Sequence, residues 1–218
     1  MENKQTSTAP QALDMSTIKN IVFDFGGVLI DLDRARCLNQ FKSLGLDHVD
    51  KLLDVCHQQG LFLQHEKGLV DDDAFRNYIR TESGKPLLSD SQIDEAWNSF
   101  LVGIPTFKLE ALLQLRQHYM VYLLSNTNNI HWQWSVEHAF PYKSFRVENY
   151  FEKIYLSYEM KMAKPDVEIF QAVLADADIL PEETLFLDDS PANCEAARSL
   201  GIKTYTPKAH EDWRPLFE

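Results

Sequence analysis

An aspartate that ends an apolar run and precedes a pair of glycines sits where a buried strand opens into a tight loop, and in IVFDFGGVLID that residue is Asp24. A second apolar run, FLDDS, also ends in acid and would bring Asp188 and Asp189 to the same sheet edge. Three converging carboxylates repel one another. A hard dication that prefers oxygen ligands and keeps some of its waters relieves that repulsion, so Mg²⁺ is the expected ion. A third run closes as LLSNT and offers the Ser125 hydroxyl and the backbone N–H of Asn126 to an anion. KMAKPD places Lys164 directly before Pro165, whose ring holds the following chain extended or at a helix start. A nucleophile, a metal, a hydroxyl donor and a fixed cation are the parts needed to hold a phosphoryl group in line. They spread its charge and allow an aspartyl-phosphate that water later hydrolyses.

The elements that must position these groups are legible as short apolar runs at 18 to 25, 119 to 126, 153 to 157, 184 to 189 and 202 to 207. Each reads as a buried strand. Helical patterns at 108 to 118, 166 to 175 and 191 to 200, the last closed by Gly201, alternate with the later strands, as in a parallel sheet covered on both faces. From about 33 to 104 the pattern changes. RARCLNQFKSLG, DKLLDVCHQQGLF, DDDAFRNYIR and DSQIDEAWNSFL follow one another as amphipathic helices punctuated by Gly45, Gly60, Gly68 and Gly84, with Asp71 a candidate N-cap. The expected architecture is α/β: a Rossmann-like parallel sheet core at 17–32 and 105–218, and a small all-helical cap at 33–104 inserted after the first strand. Residues 1–16 are expected to form a flexible N-terminal segment. Such a cap can lie over the carboxyl ends of the strands, where ligands bind.

Composition narrows the partners. With a formal net charge of −12, the chain lacks the clustered Lys and Arg that bind nucleic-acid backbones. Cys37, Cys56 and Cys194 are odd in number and scattered, which fits neither a disulfide framework nor a zinc site and suits a reducing cytoplasm. No run approaches the roughly 18 apolar residues of a membrane span. A monomer acting on a small phosphorylated metabolite is expected, with no nucleic acid and no membrane.

D-x-G-x-V at 24 to 28, S-N at 125 and 126, K-P at 164 and 165, and D-D at 188 and 189, in that order, resemble the signatures of the haloacid dehalogenase superfamily. QHEKGLVDDDAF at 64 to 75 is similar to a cap segment of the class whose cap lies between the first two motifs. The resemblance is strongest to the bacterial branch that includes a glucose-1-phosphate phosphatase. It implies a magnesium-dependent phosphomonoester hydrolase acting on a sugar phosphate. Asp24 would be nucleophile and metal ligand, the Gly26 carbonyl a second ligand, Asp189 a direct ligand and Asp188 a direct or water-bridged one. Ser125 and Asn126 would bind the phosphoryl group, and Lys164 would neutralise it together with the nucleophile.

One position departs from the pattern. The family's phosphatases usually carry a second Asp two residues after the nucleophile, as acid for the leaving oxygen and base for water, where this chain has Gly26. Losing a positioned acid costs about 10²- to 10⁴-fold in rate. His57, His65 and His131 are the candidate replacements. Gly26 also leaves open a metal-independent 2-haloacid dehalogenase, against which the Asp188–Asp189 pair speaks, and a catalytically weak phospho-ligand binder. Trp132 and Trp134 read as packing rather than pocket residues, and Asp71 to Asp73 as a helix start.

Overall fold

The computed structural model describes residues 14–46, 60–208 and 210–217. Its centre is a five-stranded, all-parallel sheet in the order β5-β4-β1-β6-β7. The strands are β1 (Asn20–Phe23), β4 (Met120–Ser125), β5 (Lys153–Leu156), β6 (Thr184–Leu187) and β7 (Lys203–Tyr205). All five apolar runs in the sequence become strands. In β1 and β6 every residue is buried, as parallel strands covered on both faces must be.

Side chains alternate between two cores with the two-residue period of a strand. Ile21, Phe23, Val121, Leu123, Leu185 and Leu187 face one side, packing on Leu109, Leu112 and Trp213. Val22, Tyr122, Leu124 and Phe186 face the other, against Ile169, Phe170, Val173 and Ala197. Trp213 aside, the helices that supply these partners are α5 (Thr106–Leu115), α8 (Val167–Ala177) and α9 (Pro191–Ser199), with α6 (Asn129–His138) and α7 (Ser157–Met160) between the first two. Ser190 caps α9 and Pro191 stands in its first turn, where the missing N–H costs nothing.

Register explains why distant motifs meet. Phe23 pairs with Leu123 on one side and with Leu187 on the other. Asp24 therefore leaves β1 level with Leu124 and Asp188, and its N–H donates to the Leu187 carbonyl (2.8 Å). Because the chain runs outward from β1 in both directions, this edge is the sheet's topological switch point, where ligands bind in such folds.

Between β1 and α5 the described chain forms the helices α1 (Arg34–Ser43), α2 (Leu61–Glu66), α3 (Asp72–Ser83) and α4 (Asp90–Asn98). They enclose their own apolar centre of Cys37, Phe41, Phe62, Phe75, Ile79, Ile93 and Trp97. Sequence capping signals are used: Asp33, Asp71 and Ser89 accept from backbone N–H groups in the first turns, and Ser89 forms a capping box with Gln92. Most of the expected helix DKLLDVCHQQGLF, with Cys56 and His57, lies outside the described residues.

The helical segment is joined to the sheet by a feature that the sequence reading did not pick out. β2 (Asp31–Leu32) and β3 (Leu101–Gly103) pair antiparallel. Elements of two and three residues are too short to carry a periodic signal. Arg36 closes the junction by donating to the Ser99 and Leu101 carbonyls. Among the described residues, no helix is long and apolar enough to cross a membrane.

Candidate active site

The loop after β1 is built to hold its first residue still. Gly27 N–H donates to the Ile30 carbonyl, and Leu29 and Ile30 N–H both donate to the Phe25 carbonyl (3.0, 2.9 and 2.9 Å). The Val28 carbonyl accepts from buried Lys108 Nζ (2.7 Å) and from Trp213 Nε1 (3.3 Å). Trp132 is buried edge-on against Phe25, with ring centres 5.8 Å apart, so it packs behind the loop rather than lining a pocket. Gly27 has φ +73°, and a Cβ there would stand 2.3 Å from Asp189 Oδ2. The second glycine thus serves both the turn and the approach of Asp189.

Asp24, Asp188 and Asp189 converge, each offering a carboxylate oxygen within 4.8 Å of the others. Asp188 is wholly buried and fully engaged: Ser190 N–H donates to it (2.8 Å), Asn193 Nδ2 donates to both its oxygens (3.0 Å each), and Lys164 Nζ donates at 2.7 Å. Asp24 accepts from Phe25 N–H and from Lys164 Nζ, both at 2.7 Å. Lys164 Nζ also donates to the Leu124 carbonyl (2.9 Å), which exhausts its three protons.

One buried ammonium faces three carboxylates. Burial pushes the Asp24 carboxyl up to about 7; Lys164 opposes that shift, while Asp188 and Asp189 add to it. Asp189 is raised by burial and by Asp188, again against Lys164. Lys164 itself is held above the usual lysine value: burial works against its charge, and the Asp24 and Asp188 carboxylates prevail. The cluster is short of positive charge. An oxygen-seeking dication suits this donor set, with Asp24, Asp188, Asp189 and the adjoining Gly26 carbonyl as the groups that would hold it.

The remaining motif residues gather beside the carboxylates. Asn126 and Lys164 are joined by two hydrogen bonds, from Asn126 Nδ2 to the Lys164 carbonyl (2.8 Å) and from Lys164 N–H to Asn126 Oδ1 (2.9 Å). The side chain of Asn126 is thereby committed to holding the two loops together, so an anion could be met only by its backbone N–H. Ser125 is buried, and its hydroxyl makes one long contact, to the Asn126 carbonyl at 3.4 Å.

Above these groups lies a cavity of about 330 Å³. Gly26, Ser125, Asn126, Lys164 and Asp189 line its polar side, and Phe62, Leu63, Trp97 and Phe100 supply much of its apolar wall. Arg34, Glu66 and His131 also reach it.

Neither of the two described histidine candidates, His65 and His131, fills the place of the missing acid. His65 lies outside this cavity, its Nε2 paired with Asp72 Oδ1 at 2.8 Å and its ring stacked on Phe75. His131 lines the cavity, but its Nε2 meets the Trp97 carbonyl (3.1 Å), its ring stacks on Trp97, and burial pushes it down to about 3. It is neutral near pH 7 and has little proton to give. His57 lies outside the described residues. The residue that the sequence reading missed is Glu66, although it stands inside the quoted segment QHEKGLVDDDAF. Burial pushes its carboxyl up to about 7, with Lys164 the opposing charge.

Comparison with known proteins gives a consistent picture. A profile of the haloacid dehalogenase-like hydrolases matches residues 18–201. D-ribitol-5-phosphate phosphatase of Bacteroides thetaiotaomicron is 40% identical over 197 residues, 90% of this chain and 95% of its own. Among solved structures, the HAD-family enzyme bt-2542 of the same organism, in complex with magnesium and inorganic phosphate, is 59% identical with a TM-score of 0.88, covering 92% of this chain and 100% of that one. A structure described as a predicted HAD-like family hydrolase from Porphyromonas gingivalis is 38% identical, with a TM-score of 0.86, covering 93% and 97%. An L-2-haloacid dehalogenase, at 20% identity and a TM-score of 0.60 over 86% of this chain and 82% of its own, shares the fold.

Proposed function

Since this chain belongs to the haloacid dehalogenase-like hydrolase family, we infer that it is a magnesium-dependent phosphomonoester hydrolase whose substrate is a small sugar or sugar-alcohol phosphate. The observation that carries this reading is the cluster of Asp24, Asp188 and Asp189, with carboxylate oxygens within 4.8 Å of one another and the Lys164 ammonium paired to the first two. The relatives support it: one is a D-ribitol-5-phosphate phosphatase and another holds magnesium and phosphate together.

In this reading an oxygen of Asp24 attacks phosphorus, the ester P–O bond breaks, and the alcohol leaves with a proton. Water then attacks the phosphorus of the aspartyl-phosphate, gives up a proton, and releases inorganic phosphate and free Asp24. Lys164 favours the ionised form of Asp24 against the effect of burial and meets the charge of the arriving phosphoryl group. Ser125 Oγ and the Asn126 N–H donate to the phosphoryl oxygens that gain charge in transit. Bound Mg²⁺ would neutralise phosphate charge and fix the in-line geometry.

Residues 17–32 and 105–218 serve as the catalytic core and 33–104 as a cap that closes the cavity and selects the leaving group. Every residue of the proposed site comes from one chain, so a monomer suffices. The free thiols of Cys37 and Cys194, both buried, suit a reducing cytoplasm.

Phosphate release from sugar phosphates, sugar-alcohol phosphates and p-nitrophenyl phosphate, with Mg²⁺ and with chelator, tests the reading. Metal-dependent release that vanishes in Asp24→Asn, with the fold retained, is expected. Release that survives chelation, or survives in Asp24→Asn, would remove this mechanism.

A further inference from the structure

We propose that Glu66, at the carboxyl end of α2, is the acid and base of the phosphoryl transfer, placed in the cap instead of the nucleophile loop. The proposal rests on the hydrolase reading above. Among the described residues, five titratable side chains line the cavity: Arg34, Glu66, His131, Lys164 and Asp189. A guanidinium does not give up its proton in proteins, which sets Arg34 aside. Lys164 has its protons committed to Asp24, Asp188 and the Leu124 carbonyl. Asp189 belongs to the carboxylate cluster, and His131 is neutral. Glu66 remains, and among the described residues its carboxyl group takes part in no hydrogen bond, so both oxygens are available to a ligand.

Its place over the site is fixed by the backbone. Ser157 Oγ donates to the Glu66 carbonyl (2.6 Å), and the same hydroxyl accepts from the N–H of Thr127, two residues after Ser125 (2.9 Å). Lys67 Nζ meets Asp166 at 2.8 Å, two residues after Lys164, and Lys161 Nζ donates to the Gly68 carbonyl at 2.6 Å. Residues 66 to 68 are therefore fastened to the two segments that carry the phosphate-binding motifs. Gly68 permits the fit: a Cβ there would lie 2.2 Å from the Tyr158 carbonyl oxygen. A half-buried carboxyl raised to about 7 retains its proton near neutrality and can also work as a base.

The step balances. Protonated Glu66 gives its proton to the bridging oxygen as the P–O ester bond breaks, so the product leaves as a neutral alcohol. The resulting carboxylate takes a proton from the water that attacks the aspartyl-phosphate, and Glu66 ends protonated.

Leaving-group dependence separates this role from a structural one. Glu66→Gln, nearly identical in shape, is compared with the unmodified magnesium-loaded enzyme on two substrates. One is the sugar phosphate that the unmodified enzyme hydrolyses fastest in the panel above; the other is p-nitrophenyl phosphate, whose leaving group needs no proton. The expected result is a fall of about 10²- to 10⁴-fold on the sugar phosphate and less than about tenfold in the first-turnover release of nitrophenolate. Phosphorylated enzyme should then accumulate, because the base for water is gone. Equal losses on both substrates, or no loss on either, would overturn the proposal while leaving the hydrolase reading intact. If the unmodified enzyme released phosphate from nothing, the hydrolase reading would fail first.

Discussion

Lys164 Nζ donates a 2.7 Å hydrogen bond to Asp24 Oδ1 across 140 residues of sequence, and its side chain is almost wholly removed from solvent. A buried ion pair at this distance is bound to both its members: removing either one strands the other without water to solvate it. Here the stranded group would also face Asp188.

Lys164→Ala is therefore expected to lower stability by about 3–5 kcal/mol in the absence of divalent cation, the usual cost of breaking a buried pair. Added Mg²⁺ should recover part of that loss, since it would then be the cluster's main counter-charge. Urea midpoints with and without Mg²⁺ measure this. A variant no less stable than the original, or one insensitive to Mg²⁺, would contradict the charge balance described above.

Gly27→Ala tests the approach of Asp189. With φ +73° and a Cβ placed 2.3 Å from Asp189 Oδ2, alanine is both strained and in collision. The backbone conformation alone costs on the order of 1–3 kcal/mol. Displacement of the carboxylate should weaken Mg²⁺ binding at least tenfold, read by calorimetric titration of the metal. Unchanged affinity would mean that Asp189 does not need this glycine.

Gly26→Asp is a different substitution from its neighbour. Gly26 shows no left-handed φ, and a Cβ there meets only Leu32 Cδ1, at 3.3 Å, the end of a movable side chain. The loop should admit the acid that the family usually carries here. In the Glu66→Gln background, Gly26→Asp is expected to restore sugar-phosphate turnover by roughly tenfold or more, within the range a positioned acid contributes. A folded double variant with no gain would show that an acid at position 26 does not reach the leaving oxygen.

His131 predicts a pH dependence of stability. Its imidazole is pushed down to about 3 by burial, with the Trp97 carbonyl acting the other way, whereas in an unfolded chain it titrates near 6.5. The folded value is the lower one, so the unfolded chain binds the extra proton in between. The contribution is whole above about pH 6.5 and is lost toward pH 3, by at most about 1.4 kcal/mol per pH unit. His131→Phe keeps an aromatic ring against Trp97 and removes the proton. Between about pH 7.5 and about pH 5 its urea midpoint should fall less than that of the unmodified chain. Equal falls would place the acid sensitivity elsewhere.

The legible parts were those written locally. Asp24, Ser125 and Asp188 each end an apolar run, and strand ends in a parallel sheet share an edge, so their meeting follows from pattern and topology. Asp71 announces a helix start by side-chain chemistry alone. Glu66 was not legible in this way, because its importance depends on how the insertion folds back over the sheet, and no local signal encodes that contact. The same holds for His131, which looks like a free imidazole until Trp97 is seen to cover it. Lys108 belongs with them: a lysine early in an amphipathic helix ordinarily faces solvent, yet this one is buried and holds the Val28 carbonyl. β2 and β3 were missed through brevity.

The pairing of β2 with β3 brings the two ends of the helical insertion side by side, so some seventy residues enter and leave the sheet through one doorway. A segment with adjoining ends can be replaced whole without re-threading the sheet it interrupts. Recombination between relatives could thus exchange the roof of the cavity while the carboxylate cluster is inherited unchanged, letting substrate range drift faster than chemistry. The exchange is not free of conditions, because residues 66 to 68 grip Ser157, Lys161 and Asp166. A transplanted insertion would have to arrive with partners for those three positions, and descent should keep the two sets travelling together.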